Sequence, residues 1–430
     1  MKTIQKILIS AAVAMTAAVG TAEACTSVIV SGRVTKDGRP IIFKNRDTND
    51  LDNLTVIEQG SRYRFVAIVG VRDLRSRNVW SGHNEAGFAI INTAAYNLNP
   101  PAPQGRQQGG PTPGATSGGR RGPDGQTSSE SDGNIMKRAL SQCATLKEFE
   151  QMLDSLPRPL RCNSNFGVLD AEGGCAYYEV GNEGYKKYDA NDASQAPYGY
   201  LIRTNHGLSG DRSQDKGVER YMAISDFMIR ADFTGHLDWE YLLRNIPRYP
   251  EHGLTKLNFY DFQPDDNRQP RFFPFRDFIP RYQTASAVLV QGVAKGELAS
   301  NTVSWTFNGS PLTTVPVPLV ITSSGKLPSL LLRNDEGYST LTHWGLELKE
   351  HLFPLKRGNG PDYIDLAQLV NRSGTGILQL LEPVENEVIN RGKNALSSYR
   401  EKQKAAVLDE YYTWVDDYLK EQYTRLFALK

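Results

Sequence analysis

The chain has 430 residues, a formal net charge of +1 and 39% hydrophobic residues, with aromatic side chains making up 10% of the total. That balance supplies a sizeable core and excludes the charge-driven classes, since nothing in it favours nucleic acid or an anionic membrane surface. Four cysteines are too few for a disulfide framework, and their spacing fits no zinc site.

The first element is a leader. Lys2 and Lys6 precede an apolar, alanine-rich stretch from Ile7 to Val19, and Ala22-Glu23-Ala24 closes it as a small-x-small cleavage site. The stretch is too short for a membrane span. Residues 1–24 are therefore expected to be removed as a signal peptide, leaving an exported protein, periplasmic or extracellular. Cleavage after Ala24 makes Cys25 the N-terminus, with a thiol and an α-amine on one residue; the unperturbed amine pKa is about 7.7–8.0. Nucleophile and base then sit together, as catalysis by an N-terminal residue requires. Two other readings stand beside this one. Cys25 could merely follow the cut, or it could be the acylated cysteine of a lipid-anchored protein, with its amine blocked. Against lipidation, Ala22 stands where Leu is usual, three residues before the cysteine, and the charged Glu23 follows it.

After Cys25 the text alternates like strands. "CTSVIV" leads into a turn at Lys36-Asp37-Gly38 and then "PIIFKNRD". A hairpin turning there sets Cys25 opposite roughly residues 48–50 and returns Asp47 beside it. Strands are expected at "RFVAIVGV" and "GFAIINTA". Residues 99–133 are rich in Pro, Gly, Gln and Ser and read as a mobile surface insertion within one domain spanning 25–430. A helix pair is expected from Ile135 to Leu153, with Thr145 as a cap and Glu148 three residues on. Strands return at "FGVLD", "CAYYEV" and "YGYLIRTNH", followed by a helix at "VERYMAISDFMIRA". More strands are expected at "TASAVLVQGV", "TVSWTFN" and "VPLVITSS". The run from about Val388 to Leu426 is a long amphipathic helix or helix pair, with Leu408, Tyr411, Val415, Tyr418 and Leu419 on one stripe. Of the remaining cysteines, Cys143, Cys162 and Cys175, at most one pair can bridge. Cys162 and Cys175 are the pair placed to bridge, and a buried reduced pair is expected at least as much.

Five short motifs now line up in order: "CTSVIV", "KNRD" ending at Asp47, "GHNEAGFAIINTA" at 82–94, "RTNHG" at 203–207, and Arg220 in "VERY". With them the chain resembles the cysteine N-terminal nucleophile (Ntn) hydrolases of the bile-salt (choloylglycine) hydrolase, penicillin V acylase and isopenicillin-N acyltransferase group, over roughly Cys25 to Arg230. The resemblance implies an α+β fold, a four-layer αββα sandwich, with no cofactor and no metal. It implies Cys25 as the nucleophile, Asp47 as the carboxylate that holds the terminal amine, and Asn92, by its backbone N–H, and Asn205, by its side-chain amide, as the oxyanion hole. Arg220 braces the far side of the site, and Asn45 is expected to be a structural hydrogen-bonder. The family places an arginine where this chain has Lys44, and Arg46 fills the variable slot of "KNRD". Either could supply the positive charge that lowers the thiol pKa. A Cys-His pair is disfavoured, because strand alternation turns His206 away if Asn205 faces the site; His83 also adjoins a motif.

The expected function is hydrolysis of a linear amide, an acylated amine or amino acid, with bile-salt and penicillin V types among the candidates, through an acyl-thioester. The alternatives are a cysteine dipeptidase of a related Ntn family and a lipid-anchored, non-catalytic binding protein. The expected partner is a small-molecule amide, with no nucleic acid, no membrane span and a homo-oligomer as the family habit.

Overall fold

The computed structural model describes residues 24–76, 78–99 and 131–429. Residues 1–23 of the expected signal peptide and 100–130 of the expected insertion lie outside them. The chain opens with β1 (Thr26–Val30), β2 (Ile41–Asp47), β3 (Asn53–Gln59) and β4 (Arg64–Gly70). The short helix α1 (Asp73–Ser76), strands β5 (Ser81–Asn84) and β6 (Ala89–Ala94), and helices α2 (Asp132–Gln142) and α3 (Leu146–Ser155) follow. Next come β7 (Ser164–Leu169), β8 (Cys175–Val180), β9 (Tyr185–Asp189), β10 (Tyr200–Arg203), α4 (Val218–Phe233) and α5 (Trp239–Asn245). The last part holds β11 (Phe272–Pro274), β12 (Thr284–Gln291), β13 (Val303–Asn308), β14 (Val317–Leu319), α6 (Thr340–Leu352) and β15 (Tyr363–Asp365). It closes with α7 (Leu366–Leu369), α8 (Ile377–Lys402) and α9 (Ala405–Phe427).

Two antiparallel sheets carry the architecture. One has six strands in the order β10-β1-β2-β12-β13-β14, and the other is a seven-stranded meander from β3 to β9. Alternation along each strand sorts side chains into layers. On β1, Val28 and Val30 enter the core shared with α4, α5, α8 and α9, whereas Ile29 enters the layer between the sheets. On β8, Ala176, Tyr178 and Val180 join the core under α2 and α3, and Cys175 and Tyr177 face the inter-sheet layer. The result is helix, sheet, sheet, helix, the expected αββα sandwich. Both faces of the central strands are buried, so they read as apolar runs with polar interruptions.

Those interruptions are bridges between the sheets. Ser27 Oγ lies 2.7 Å from Tyr177 Oη, and Thr55 donates to Asn308 Oδ1 at 3.1 Å. His83 of β5 meets Ser304 Oγ of β13 at 3.0 Å, and burial pushes its pKa down to about 3. An unfolded histidine titrates near 6.5. The folded chain thus binds fewer protons, and stability, full above about pH 6.5, falls as pH drops from there toward 3. Urea unfolding should show His83→Gln losing less stability between pH 7 and pH 4 than the parent, by on the order of 2–3 kcal/mol. Parallel losses in both proteins would remove His83 from the acid response.

Several expectations are corrected. Thr26 pairs with Asn45, so the register carries Cys25 opposite Arg46 rather than residues 48–50. The turn is centred earlier than the sequence suggests, since Val30 pairs with Ile41, and within it Thr35 Oγ1 donates to Arg39 O at 2.9 Å and Gly38 has φ 71°. The end of the expected insertion belongs to a helix instead: Asp132 and Gly133 open α2, which Ser131 caps by accepting from Asn134 N. Thr145 caps α3 as expected, accepting from Glu148 N. The third late strand stops at Leu319, and the C-terminal helices begin at Ile377 rather than Val388. Pro383 inside α8 obscured that start. All four cysteines are free and buried. Cys162 and Cys175 do not bridge: the first directs its sulfur to Asp132, the second to the Val30 carbonyl.

Candidate active site

Cys25 lies just ahead of β1, which is held between β10 and β2. Its main-chain nitrogen donates to Asn205 Oδ1 at 3.1 Å. Arg220, in the first turn of α4, closes the group: Nη1 donates to the Cys25 carbonyl at 2.5 Å and to Thr26 Oγ1 at 3.0 Å, and Nη2 to Asn205 Oδ1 at 2.6 Å. Asn205 Nδ2 donates to the Ala94 carbonyl at 3.0 Å. These partners fix the amide orientation, because a guanidinium can only donate and a carbonyl can only accept. Asn205 therefore presents its oxygen, not its N–H, to the Cys25 nitrogen.

Two features place Asn205 and Arg220. Asn205 follows β10, and the turn after it is gathered by Glu179, which accepts from Leu208 N at 2.7 Å and Ser209 N at 2.8 Å. Glu179 also pairs with Arg203 at 2.8 Å, with both side chains almost wholly buried. The two charges compensate each other there. Arg220 reaches back past Gly217, whose φ is 70°. A Cβ at that position would collide with the guanidinium, so glycine is required twice over. Burial first, and then the nearby Arg281, lower the Arg220 pKa to about 10.

β2 distributes its polar residues by parity. Lys44 and Arg46 share the inter-sheet face with Ile42, and the register continues to Cys25 opposite Arg46. Lys44 donates to Asn92 Oδ1 at 2.6 Å and to Trp80 O at 2.7 Å. Arg46 donates to Asn53 Oδ1 at 2.6 Å and lies 4.8 Å from the Trp80 ring. Asn92 is thus brought to Lys44 across the sheets, with Ala94 two residues on touching Asn205. On the other face, Asn45 donates to Pro247 O at 3.3 Å, matching its expected structural role. Asp47 accepts from Arg281 Nε and from Thr284 Oγ1, each at 2.7 Å.

His206 directs Nδ1 to the Lys216 carbonyl at 3.0 Å, and His83 bonds to Ser304. Among the described residues, no group of three His, Cys, Asp or Glu side chains converges as a metal site would require. No helix among them is long and apolar enough to cross a membrane.

A cavity of about 790 Å³ opens beside this cluster, lined among others by Ala24, Asn205, Arg220, Asp277 and Arg281. Eight of its lining residues are charged, four acidic and four basic. Charges of both signs therefore line it, although apolar atoms make up the larger share of its wall, as in small-molecule sites generally. Sequence reasoning missed Arg281, Thr284 and Lys349. None belongs to a local motif: Arg281 and Thr284 meet Asp47 because β12 pairs with β2, placing Thr284 opposite Asp47, and Lys349 of α6 donates to the Thr284 carbonyl at 2.9 Å. The only hint was an arginine just ahead of a strongly apolar strand.

Residues 126–228 match the sequence model of the family described as acyl-coenzyme A:6-aminopenicillanic acid acyl-transferase. That span bears out the resemblance to the acyltransferase side of the group and contains Asn205 and Arg220 but not Cys25. No curated protein matches the chain by sequence. Among solved structures, penicillin V acylase from Agrobacterium tumefaciens aligns at 11% identity and a TM-score of 0.34, over 70% of this chain and 87% of that one. A conjugated bile acid hydrolase variant from Clostridium perfringens aligns at 10% identity and 0.35, over 69% and 92%. The Caenorhabditis elegans ortholog of N-acylethanolamine-hydrolyzing acid amidase aligns at 16% and 0.31, over 51% and 85%.

Proposed function

We propose that the protein is an exported amidase in which removal of residues 1–24 leaves Cys25 as an N-terminal nucleophile for linear amide C–N bonds. The observation that carries this reading is that the Cys25 nitrogen, held by Asn205, sits beside a cavity that Ala24 helps to line. Loss of Ala24 would turn that nitrogen into an amine at the cavity wall. The amine takes the thiol proton and the thiolate attacks the amide carbonyl. The tetrahedral oxyanion is assigned to the Asn92 backbone N–H and to Asn205 Nδ2, which has a second hydrogen beyond the one it gives to the Ala94 carbonyl, while Asn205 Oδ1 holds the Cys25 nitrogen. The C–N bond breaks as the proton passes to the leaving nitrogen, and water then hydrolyses the thioester, releasing the acid and restoring the thiol. Arg220 supplies positive potential beside the nucleophile, with Lys44 and Arg46 on the inter-sheet side. Asp47 orients the amine as part of the cluster it forms with Arg281.

The charge-balanced cavity favours a polar amide over a steroid or long alkyl conjugate, because burying an apolar acyl chain against charged groups strips their hydration without replacing it. It also favours the second reading, a cysteine dipeptidase, whose substrates carry both charges. The test is turnover of a panel: dipeptides, phenoxyacetyl amides, glycine and taurine conjugates of bile acids, and fatty-acyl amides. The polar members should show the highest kcat/KM, by about tenfold or more, corresponding to roughly 1.4 kcal/mol of preferential binding. A bile-acid or fatty-acyl conjugate as the best substrate would overturn the polar assignment. No acyl adduct with any member would overturn the amidase itself.

A further inference from the structure

Lys349 of α6 is a buried cation, 2% exposed, to which the catalytic steps above give no task. Its ammonium donates to the Thr284 carbonyl at 2.9 Å and lies 5.3 Å from the Tyr282 ring. Thr284 is therefore gripped at both ends, its carbonyl by Lys349 and its hydroxyl on Asp47 Oδ1. The charged and titratable groups around Lys349 are Asp47 on β2, Arg281 across the same carboxylate, and Tyr282 ahead of β12. Glu350 on its own helix, Lys356 beyond it, and Asp365 on β15, against which α6 packs, complete the set. Asp47 thus joins Lys349 to the group that Arg220 forms with Cys25, Arg281 and Asp277, in which three cations, Arg220, Arg281 and Lys349, stand against two carboxylates, Asp47 and Asp277. A buried positive excess disfavours further protons, whether on a thiol or on an amine.

We propose that Lys349 is a positioning residue that fixes Asp47 through Thr284 and whose charge keeps the Cys25 thiol and amine in their less protonated, reactive state. This rests on the reading of Cys25 as the N-terminal nucleophile. Burial lowers the Lys349 pKa to about 7, the attraction of Asp47 opposing it, so the charge is present below neutrality and is lost as pH rises through it. The contribution is largest on the acid side, where protonation of the amine would otherwise stop the reaction.

The test uses iodoacetamide, which needs no knowledge of the substrate. Alkylation of Cys25 is followed by peptide mass between pH 5 and 9 in protein whose N-terminus has been confirmed at Cys25. In Lys349→Met the inflection should move up by about half a pH unit or more, the size expected when one nearby charge is lost. Lys349→Arg, which keeps the charge, should hold it in place. An unmoved inflection in a folded Lys349→Met protein overturns the proposal. Should that variant fail to fold, Thr284→Val reads the same link, since it keeps the carbonyl that Lys349 holds and removes the hydroxyl that joins Asp47 and accepts from Arg281 N. Slower alkylation at pH 6 supports the proposal and a parental rate overturns it. An acyl-Cys25 adduct with an unmoved inflection sinks this proposal alone, whereas a wild type that forms no adduct sinks the catalytic reading along with it.

Discussion

Cys25→Ser is expected to lower amide turnover by at least about a thousandfold while leaving the fold intact. The exchange of sulfur for oxygen is nearly isosteric at a residue only 5% exposed, and the hydrogen bonds described above that hold it use main-chain atoms. Asn205 holds its nitrogen and Arg220 its carbonyl, so neither is disturbed. What changes is acidity. A thiol with an unperturbed pKa near 8.5 can pass its proton to an amine near 8, but an alcohol is many units too weak an acid to do so cheaply. Intact-mass analysis during turnover should show an acyl adduct on the parent and none on the variant. Turnover within tenfold of the parent would end the nucleophile assignment.

Asn205→Ala should cost the chemical step at least about a hundredfold, in the range seen when one polar group of an acyl-transfer site is removed. The structure gives this loss a second component. Asn205 Oδ1 accepts from both the Cys25 nitrogen and Arg220, and the Arg220 Nε already has no protein acceptor among the described residues. Truncation strips a buried guanidinium of one more partner, so stability should also fall, by about 1–3 kcal/mol. Urea unfolding and pre-steady-state acylation of the same variant separate the two effects. Unchanged acylation in a destabilised protein would reduce Asn205 to scaffolding, and unchanged values of both would remove it from the site.

How much of this was legible beforehand follows from how local each signal is. Apolar runs such as "TSVIV" and "CAYYEV" announced strands because the sandwich buries both of their faces. Thr145 with Glu148 announced a helix start because capping is completed within one turn. Asn205 and Arg220 were findable because each sits in a short motif. Arg281, Thr284 and Lys349 were not. Arg281 and Thr284 reach Asp47 from more than two hundred residues away, through a pairing of β12 with β2 that no periodicity encodes, and Lys349 joins them from α6 through the Thr284 carbonyl. The hairpin register failed for a smaller reason: a turn whose residues tolerate several conformations leaves the offset undetermined by a residue or two, and each residue of slip reverses a face. The orientation of the Asn205 amide was equally out of reach, since it is decided by the one-way hydrogen bonding of Arg220 and the Ala94 carbonyl.

One feature sets a clock. Ala24 is only 7% exposed, and the strand that begins just after it is locked on both edges by β10 and β2. A peptidase needs a stretch of accessible extended chain on each side of the bond it cuts, and in the folded molecule the stretch that follows this bond is taken up by β1. Under the proposed processing, the Ala24–Cys25 bond has to be severed while β1 is still loose. A chain that closes first keeps its nitrogen tied up as an amide and stays inert however well it is built. The fraction of working enzyme in a cell would then be settled by a race between secretion and folding, run once per molecule and never repeated.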